Sequence, residues 1–372
     1  MKNNTKKNIE NKFEFIQLDE ILKDEKFEGE AIGFFKDAMI RFRKNKASVT
    51  SFVIISFLVF MAIFGPMMNE YGFKEQNLKL TLMPARIPII EKMGVFDGTK
   101  VMNISKDNIE GKYKGAVLQV IKEYKVKDRE MATVKVDMYK YKEVKDKYFW
   151  FGTDSLGRDQ WTRLWRGTRI SLIISVIAMS VNIVIGVVYG AISGYYGGLV
   201  DLGMQRFIEV LNGIPFLVVI ILFVLYYGPG IIPIALALCL TGWIGMSRMI
   251  RAQFYKYKGM EYVLASRTLG ATDRTLIFRH ILPNAFGIII TMSALAIPGA
   301  IFQESFLAYI GLGIQAPEPS IGVLLAEGQL VLLEYPHLTI FPALVISILM
   351  ISFNLLGNGL RDAFDPTLRG QE

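Results

Sequence analysis

The sequence predicts an all-α polytopic membrane protein with six transmembrane helices and a small β-rich or α+β domain inserted between the first two. Hydrophobic residues make up 52% of the 372, and the mean hydropathy of +0.35 is too apolar for a soluble domain of this length. Six segments are apolar over roughly 18 residues or more, the length that spans about 30 Å of hydrocarbon. A long hydrophilic stretch separates the first two segments.

The apolar segments set the domain boundaries. They cover residues 48–68, 170–193, 210–228, 231–247, 285–310 and 338–357. Residues 1–47 precede the first span and are too many for the short charged region of a signal peptide, so we expect that span to be retained. Residues 69–150 form the insertion, and residues 151–372 form the rest of the membrane core.

Charge predicts the orientation, because positive residues hold a loop in the cytoplasm. A cluster of four basic residues, Arg41 to Lys46, directly precedes the first span. The loop 248–283 is strongly basic, whereas the loop 313–337 contains no Lys or Arg. Both chain termini and the loop 248–283 are therefore predicted to be cytoplasmic. One group of arginines falls on the predicted outer side, against this rule: Arg158, Arg163, Arg166 and Arg169.

The outer insertion shows strand patterns. Val134, Val136 and Met138 alternate with polar residues in "TVKVDMYKY", and "GAVLQVI" is a second strand candidate. Such a domain either decorates and stabilises the outer face or docks an external partner. After it, Trp161 and Trp165 share one face of a predicted helix, which fits an interfacial amphipathic helix or an ordinary helix packed on the protein.

The stretch 261–286, "EYVLASRTLGATDRTLIFRHILPNAF", predicts two short helices in the basic loop. Gly270 is a left-handed cap that ends the first, Thr272 caps the second, and Pro283 breaks the second before the fifth span. Ala265, Ser266 and Gly270 lie together, and a surface without bulky side chains permits close approach. From these residues alone, an ordinary hairpin and a partner-docking helix are equally supported.

Catalytic and metal chemistry find little support in the sequence. The chain has one cysteine, Cys239, and two histidines, His280 and His337, without an HExxH motif or a P-loop. The net charge of +8 fits cytoplasmic flanks of a membrane protein better than nucleic-acid binding. Candidates for a channel or gate are Glu304, because ionisable groups at membrane depth are often functional, and Asn212 with Pro215, which can break the third span.

"LASRTLGATDRTLIFRHILP" resembles the EAA loop of ATP-binding-cassette (ABC) importer permeases, with Leu264 in place of the acidic residue and Ser266 in place of the second alanine. Three further stretches resemble the C-type permease subunit of oligopeptide and dipeptide importers, a type I importer fold: "FGTDSLGRDQWTRLWRGTRISL", "ESFLAYIGLGIQAPEPSIG" and "FNLLGNGLRDAFDPTLRG". The resemblance covers residues 1–68 and 148–372 and leaves out 69–147. The coupling residues that it implies are Leu264, Ala265, Ser266, Arg267, Gly270, Leu282 and Pro283.

The resemblance also implies the partners and the mechanism. A second, B-type permease subunit completes the channel in a bacterial plasma membrane, and an external lipid-anchored binding protein delivers peptide. Two ATPase subunits bind ATP and Mg²⁺ below, so the permease itself has no catalytic or metal site and needs no cofactor. The EAA loop enters a groove on an ATPase subunit and transmits its motion.

Three alternatives stay open from the sequence. The same architecture serves dipeptides, nickel, glutathione or another small solute in related systems. A membrane sensor or scaffold would work without ATPase subunits. A secondary transporter is disfavoured, because the spans lack an evident relay of buried acids or histidines.

Overall fold

A computed structural model describes residues 33–127 and 129–364. Most of the 1–47 segment that the sequence predicts therefore lies outside the described residues. The described residues are mostly helical and include one sheet. Its helices are α1 (Phe34–Lys44), α2 (Lys46–Phe64), α3 (Lys106–Glu110), α4 (Met138–Tyr141), α5 (Gln160–Tyr196), α6 (Gly198–Asn212), α7 (Phe216–Tyr227), α8 (Ile231–Thr241), α9 (Trp243–Lys258), α10 (Glu261–Thr268), α11 (Asp273–Thr275), α12 (Leu282–Tyr309), α13 (Ile321–Gln329) and α14 (His337–Phe364).

Five helical stretches are long and apolar enough to cross a membrane, and there are six if a bent pair of helices counts as one span. The five are Lys46–Met67, Gln160–Tyr196, Ile231–Lys258, Asp273–Tyr309 and His337–Phe364. The pair is α6 and α7, which meet at 73° across the break that holds Pro215. The predicted break in the third span is thus present, and all six apolar segments fall in these helices.

Helix contacts give the bundle two sides. The end of α2 lies against the start of α5, where the Trp161 indole donates a hydrogen bond to the Gly65 carbonyl at 2.8 Å. This end also carries the β-sheet and α13, and we name it the insertion side. At the other end, α1 contacts the end of α14 through the rings of Phe35 and Phe364, 6.1 Å apart. This end also carries the segment 259–272, and we name it the loop side.

The 37-residue helix α5 lies at the centre of the packing. Leu164 and Trp165 join a core with α2, α12, α13 and α14. Ile174 joins a second core with α7 and α8. Tyr195 joins a third on the loop side with α9, α10 and α12. Because Trp165 is buried in this bundle, residues 160–169 belong to a packed helix continuous with the second span, which favours the packed alternative over the interfacial one.

Small residues let α5 and α9 approach closely. Gly186, Gly190 and Gly194 are spaced four apart and so share one face of α5. A Cβ at Gly186 would lie 2.7 Å from the Cβ of Met246, and one at Gly194 would lie 2.7 Å from the Arg251 carbonyl oxygen. Membrane helices pack backbone to backbone at such stripes.

The insertion is a three-stranded antiparallel sheet with β1 (Thr99–Ser105), β2 (Val117–Val126) and β3 (Arg129–Asp137) in the order β1-β3-β2. Val134 and Val136 on β3 are fully buried, which confirms the strand predicted from their alternation. "GAVLQVI" enters β2, also as predicted, whereas Met138 starts α4 and β1 was not anticipated. Tyr139 and Phe149 complete a core separate from those of the bundle.

Candidate coupling site

The loop-side segment is anchored by one buried side chain. Val263 of α10 is fully buried among Phe254, Leu276 and Ile281, so α10 is pinned to the ends of α9 and α12. Tyr262 lies beside it, and its hydroxyl accepts a hydrogen bond from the Asn284 amide at 3.2 Å. Burial raises the pKa of Tyr262. α10 is therefore fixed on one face and free on the other.

Gly270 ends α10 as the sequence predicts. Its φ of +84° lies in the left-handed region that only glycine enters without strain. The Gly270 N–H donates to the Arg267 carbonyl and the Ala271 N–H donates to the Ser266 carbonyl, both at 3.0 Å. These two bonds form a Schellman motif, which satisfies the last carbonyl groups of the helix.

The free face of α10 is smooth and partly apolar. Leu264, Ala265 and Leu269 are exposed, with Leu269 89% accessible. Ser266 is half-buried, and its hydroxyl donates to the Tyr262 carbonyl at 2.8 Å, so it presents no free donor. Leu264 therefore replaces the acidic residue of the EAA pattern with an exposed apolar contact.

The second half of the loop departs from the prediction at Pro283. Thr272 caps α11 as expected, accepting from the Thr275 N–H at 3.4 Å. A π-helical turn then covers Leu276–Ile281, and α12 follows directly with Leu282 and Pro283 at its first positions. The predicted break at Pro283 is wrong. A proline in the first turn of a helix removes no N–H that the helix needs, and the π-helical turn leads into α12 without interrupting the helix.

Hydrogen bonds connect the loop to the end of α5. The Tyr195 hydroxyl donates to the Asp273 carboxylate and accepts from the Arg267 guanidinium at 3.3 Å. The Lys258 ammonium donates to the Gly194 carbonyl at 2.8 Å. α5 is thus bonded to α9, α10 and α11 within one turn of its end.

A carboxylate fixes the next turn of the chain. Asp201, in the first turn of α6, accepts two hydrogen bonds from Arg251 at 2.6 and 2.5 Å and one from the Tyr255 hydroxyl at 2.8 Å. Ser193 of α5 also donates to it. Sequence reasoning missed this cluster, because Arg251 looked like one more cytoplasmic basic residue.

The opposite end of α5 holds an ion cluster of two arginines and two carboxylates. Arg163, fully buried, donates to both Glu327 oxygens of α13 at 2.6 and 3.1 Å and also to Asp154. Arg158 donates to Asp154 at 2.6 Å and to Glu327 at 3.1 Å. The formal charges cancel, as buried charges require.

The other two arginines of this segment are paired as well. Arg166 bonds Glu318, with the shortest distance 3.1 Å. Arg169 donates to the carbonyl groups of Ala62 and Ile63 at the end of α2, at 2.8 and 2.5 Å. All four arginines that disagree with the charge rule therefore have partners on the insertion side, which accounts for their position.

The predicted gate residues fall into two environments. Glu304, near the end of α12, is fully buried, and it accepts a hydrogen bond from the Ser171 hydroxyl of α5 at 2.7 Å. That hydroxyl in turn accepts from the Ile321 N–H at the start of α13, at 3.3 Å. Glu304 thus faces α5 and the start of α13. Asn212 and Pro215 are exposed at the bend between α6 and α7.

Known families match two parts of the chain. The model described as "Binding-protein-dependent transport system inner membrane component" matches residues 186–370, which include the whole candidate coupling site. The model described as "N-terminal TM domain of oligopeptide transport permease C" matches residues 33–85. The sheet and the first part of α5 lie between the two matches.

Similar proteins were found among both sequences and solved structures. The oligopeptide transport system permease protein OppC of Bacillus subtilis is 38% identical over 345 residues, 93% of each chain. The dipeptide transport system permease protein DppC of the same organism is 38% identical over 340 residues, 91% of this chain and 88% of that one. A structure titled as an inward-facing conformation of the MetNI methionine ABC transporter aligns at 14% identity with a TM-score of 0.45, covering 54% of this chain and 96% of that one.

Proposed function

This chain belongs to the binding-protein-dependent transport inner-membrane components, in the branch of the oligopeptide and dipeptide permeases, and from that premise we propose that it forms half of the channel of an ATP-driven peptide importer. The observation that carries the proposal is the 38% identity to an oligopeptide permease along 93% of both chains. The chain is an integral membrane protein and a transport component.

The loop side is assigned to the cytoplasm and the insertion side to the exterior. The basic residues that flank the loop and the start of α2 support this orientation. With the loop inside, the exposed face of α10 points toward cytoplasmic ATPase subunits, which bind ATP and Mg²⁺. Both termini are then cytoplasmic. The sheet lies outside the cell membrane, on the same side as the external binding lipoprotein.

The geometry of α10 suits mechanical coupling. Its free face carries Leu264, Ala265 and Leu269, whereas Val263 and the Schellman turn at Gly270 hold it to the bundle. A partner that grips the free face would move α9, α11 and α5 with it. Such docking relies on shape and apolar contact, since the acidic residue of the motif is absent at Leu264.

The channel itself requires a second, homologous permease subunit. The large apolar side chains that α6 and α7 leave exposed, such as Phe207, Val210 and Leu225, need lipid or that subunit to cover them. Asn212 and Pro215 lie at the exposed bend of this face and are proposed gate residues. For Glu304 we propose a role in anchoring α13 in place of contact with substrate, because it is buried.

Replacing Ala265 with tryptophan tests the docking face. Because the Ala265 side chain is exposed, the larger ring is accommodated by this chain but blocks a closely fitting partner. We expect the amount of ATPase subunit that co-purifies with the tagged permease to fall about tenfold or more. A tenfold fall corresponds to a loss of about 1.4 kcal/mol in binding free energy. Tryptophan at Met68, exposed on the insertion side, is the control. Equal recovery in both variants would exclude α10 as the docking helix.

Uptake measurements identify the substrate class. The permeases, ATPases and binding protein are reconstituted in liposomes, and ATP-dependent entry of labelled dipeptides and pentapeptides is compared. Peptide uptake supports the proposal. Uptake of a nickel chelate without peptide would move the assignment to another solute, and normal function without ATPase subunits would favour a sensor or scaffold.

Dipeptide import is the second candidate. Its specific support is the DppC relative, which matches with the same 38% identity as OppC. A third relative is named as a glutathione transport system permease protein and is 37% identical over 220 residues. These named substrates share a peptide backbone, which favours peptides over metal chelates as the substrate class.

A further inference from the structure

We infer that α5 is the transmission element of the permease: it carries motion of the coupling loop to α13, with Tyr195 as the positioning residue at one end and Arg163 at the other. The inference rests on the proposed function, since it assumes that ATPase subunits move α10. It assigns roles to residues outside the EAA loop and explains why one helix carries bonded clusters at both ends.

The insertion-side end of α5 contacts α13 along one helix face. Arg163, Gly167 and Ser171 are spaced four apart and share one helix face. Arg163 bonds Glu327 near the end of α13, and Ser171 accepts from the Ile321 N–H at its start. Between them Gly167 has no side chain, and a Cβ there would lie 3.0 Å from the Ser320 carbonyl carbon.

Contacts along this face of α5 make α13 move together with α5. α13 is nine residues long and is joined to the long helices on both sides by irregular segments. It is bonded to α5 at its start and near its end, and Arg166 also holds Glu318 in the segment before it. A shift of the α5 outer end therefore shifts α13 as a unit.

The loop-side end of α5 is bonded to the coupling loop around α10. Tyr195 connects to Asp273 and Arg267, which flank the Gly270 turn on either side. Lys258, the last residue of α9, donates to the Gly194 carbonyl. Displacement of α10 thus reaches α5 through groups within a single turn of its end.

α5 is suited to transmit that displacement over a long distance. Tyr195 and Arg163 are 32 positions apart in one unbroken helix, which corresponds to about 48 Å. Gly186, Gly190 and Gly194 hold the loop-side half of α5 close to α9. Leu164 and Trp165 pack the insertion-side half of α5 into the core that it forms with α2, α12, α13 and α14. A packed helix with two-ended polar contacts is the kind of contiguous network that can couple distant sites.

Two mild variants test the two ends. Glu327→Gln keeps the shape of a side chain that is 31% exposed but removes its charge from Arg163, which keeps Asp154. Tyr195→Phe removes only the hydroxyl that joins Asp273 and Arg267. Their matched controls are Glu334→Gln, whose side chain is 75% exposed on the same side as Glu327, and Tyr196→Phe, at the neighbouring tyrosine that is 56% exposed at the same end of α5.

The readout is peptide taken up per ATP hydrolysed by the complete complex in liposomes. We expect each variant to lower this ratio roughly fivefold while the ATP hydrolysis rate stays unchanged, as expected for residues that modulate coupling. The double variant is expected to fall roughly fivefold as well, because both changes interrupt one path, whereas independent effects would multiply to roughly 25-fold. The controls keep the wild-type ratio.

Three outcomes count against this inference. A double variant whose loss is the product of the two single losses, ratios equal to wild type, or a loss of ATP hydrolysis in parallel with uptake would each overturn it. The proposed function fails separately: it is refuted if the wild-type complex shows no ATP-dependent peptide uptake at all. A wild-type complex that imports peptide while both variants keep full coupling refutes only the role of α5.

Discussion

Replacing Gly270 with valine should abolish most transport while the permease still enters the membrane. The φ of +84° forces a β-branched residue into a strained conformation that costs of the order of 1–3 kcal/mol. The chain escapes by opening the Schellman turn, which frees the Arg267 and Ser266 carbonyls and reorients the exposed face of α10. We expect peptide uptake per permease in liposomes to fall at least about tenfold.

A neighbouring glycine supplies the matched control. Gly259 lies in the same loop with a φ of −91°, and a Cβ there meets no atom within 4 Å. Gly259→Val should therefore keep uptake within about twofold of wild type, because surface substitutions of this kind change little. If Gly270→Val transports as well as Gly259→Val, the turn does not set the position of the coupling helix.

Replacing Arg163 with alanine should produce a large loss of stability. The change leaves the Glu327 carboxylate and the buried Asp154 with only Arg158 to balance them. Removing one partner from a buried ion cluster costs about 3–5 kcal/mol, because the remaining charge is desolvated without compensation. We expect a much lower yield and an early unfolding transition when the detergent-solubilised permease is heated.

Arg166→Ala tests whether burial of the ion cluster causes the loss of stability expected for Arg163→Ala. Arg166 and Glu318 are both about a third exposed, so their pair is partly solvated and worth only about 0–1 kcal/mol. Removing Glu327 together with Arg163 should recover part of the loss, since no uncompensated carboxylate then remains on α13. Equal melting of the Arg163 and Arg166 single variants would show that the cluster does not stabilise the fold.

Features that depend on local sequence could be predicted. The six apolar segments, the bend at Pro215 and the left-handed cap at Gly270 each follow from residues within a few positions. The alternation around Val134 and Val136 likewise predicted β3. The continuous helix through Pro283 was not predicted, because a proline reads as a break unless the preceding π turn is known.

Features that depend on distant pairs could not be predicted. Arg163 and Glu327 are 164 positions apart, and Asp201 and Arg251 are 50 apart. Nothing in the neighbourhood of either residue identifies its partner. One signal was available: the spacing of Gly186, Gly190 and Gly194 is a recognised pattern for close helix packing, and it indicates the face of α5 that meets α9. The roles of Leu264, Ala265, Ser266, Arg267, Gly270, Leu282 and Pro283 in coupling stay predictions.

The long separation within the ion cluster also has a consequence for biosynthesis. Arg158 and Arg163 are translated well before Glu327, and most of α5 and three further membrane-crossing stretches separate Arg163 from Glu327 in the chain. Among the described residues that precede α13, Asp154 is the carboxylate that pairs with these arginines. The second carboxylate arrives with α13, so the cluster closes only when most of the protein has been made. A product truncated before residue 327 would therefore lack the second carboxylate that balances these two buried arginines.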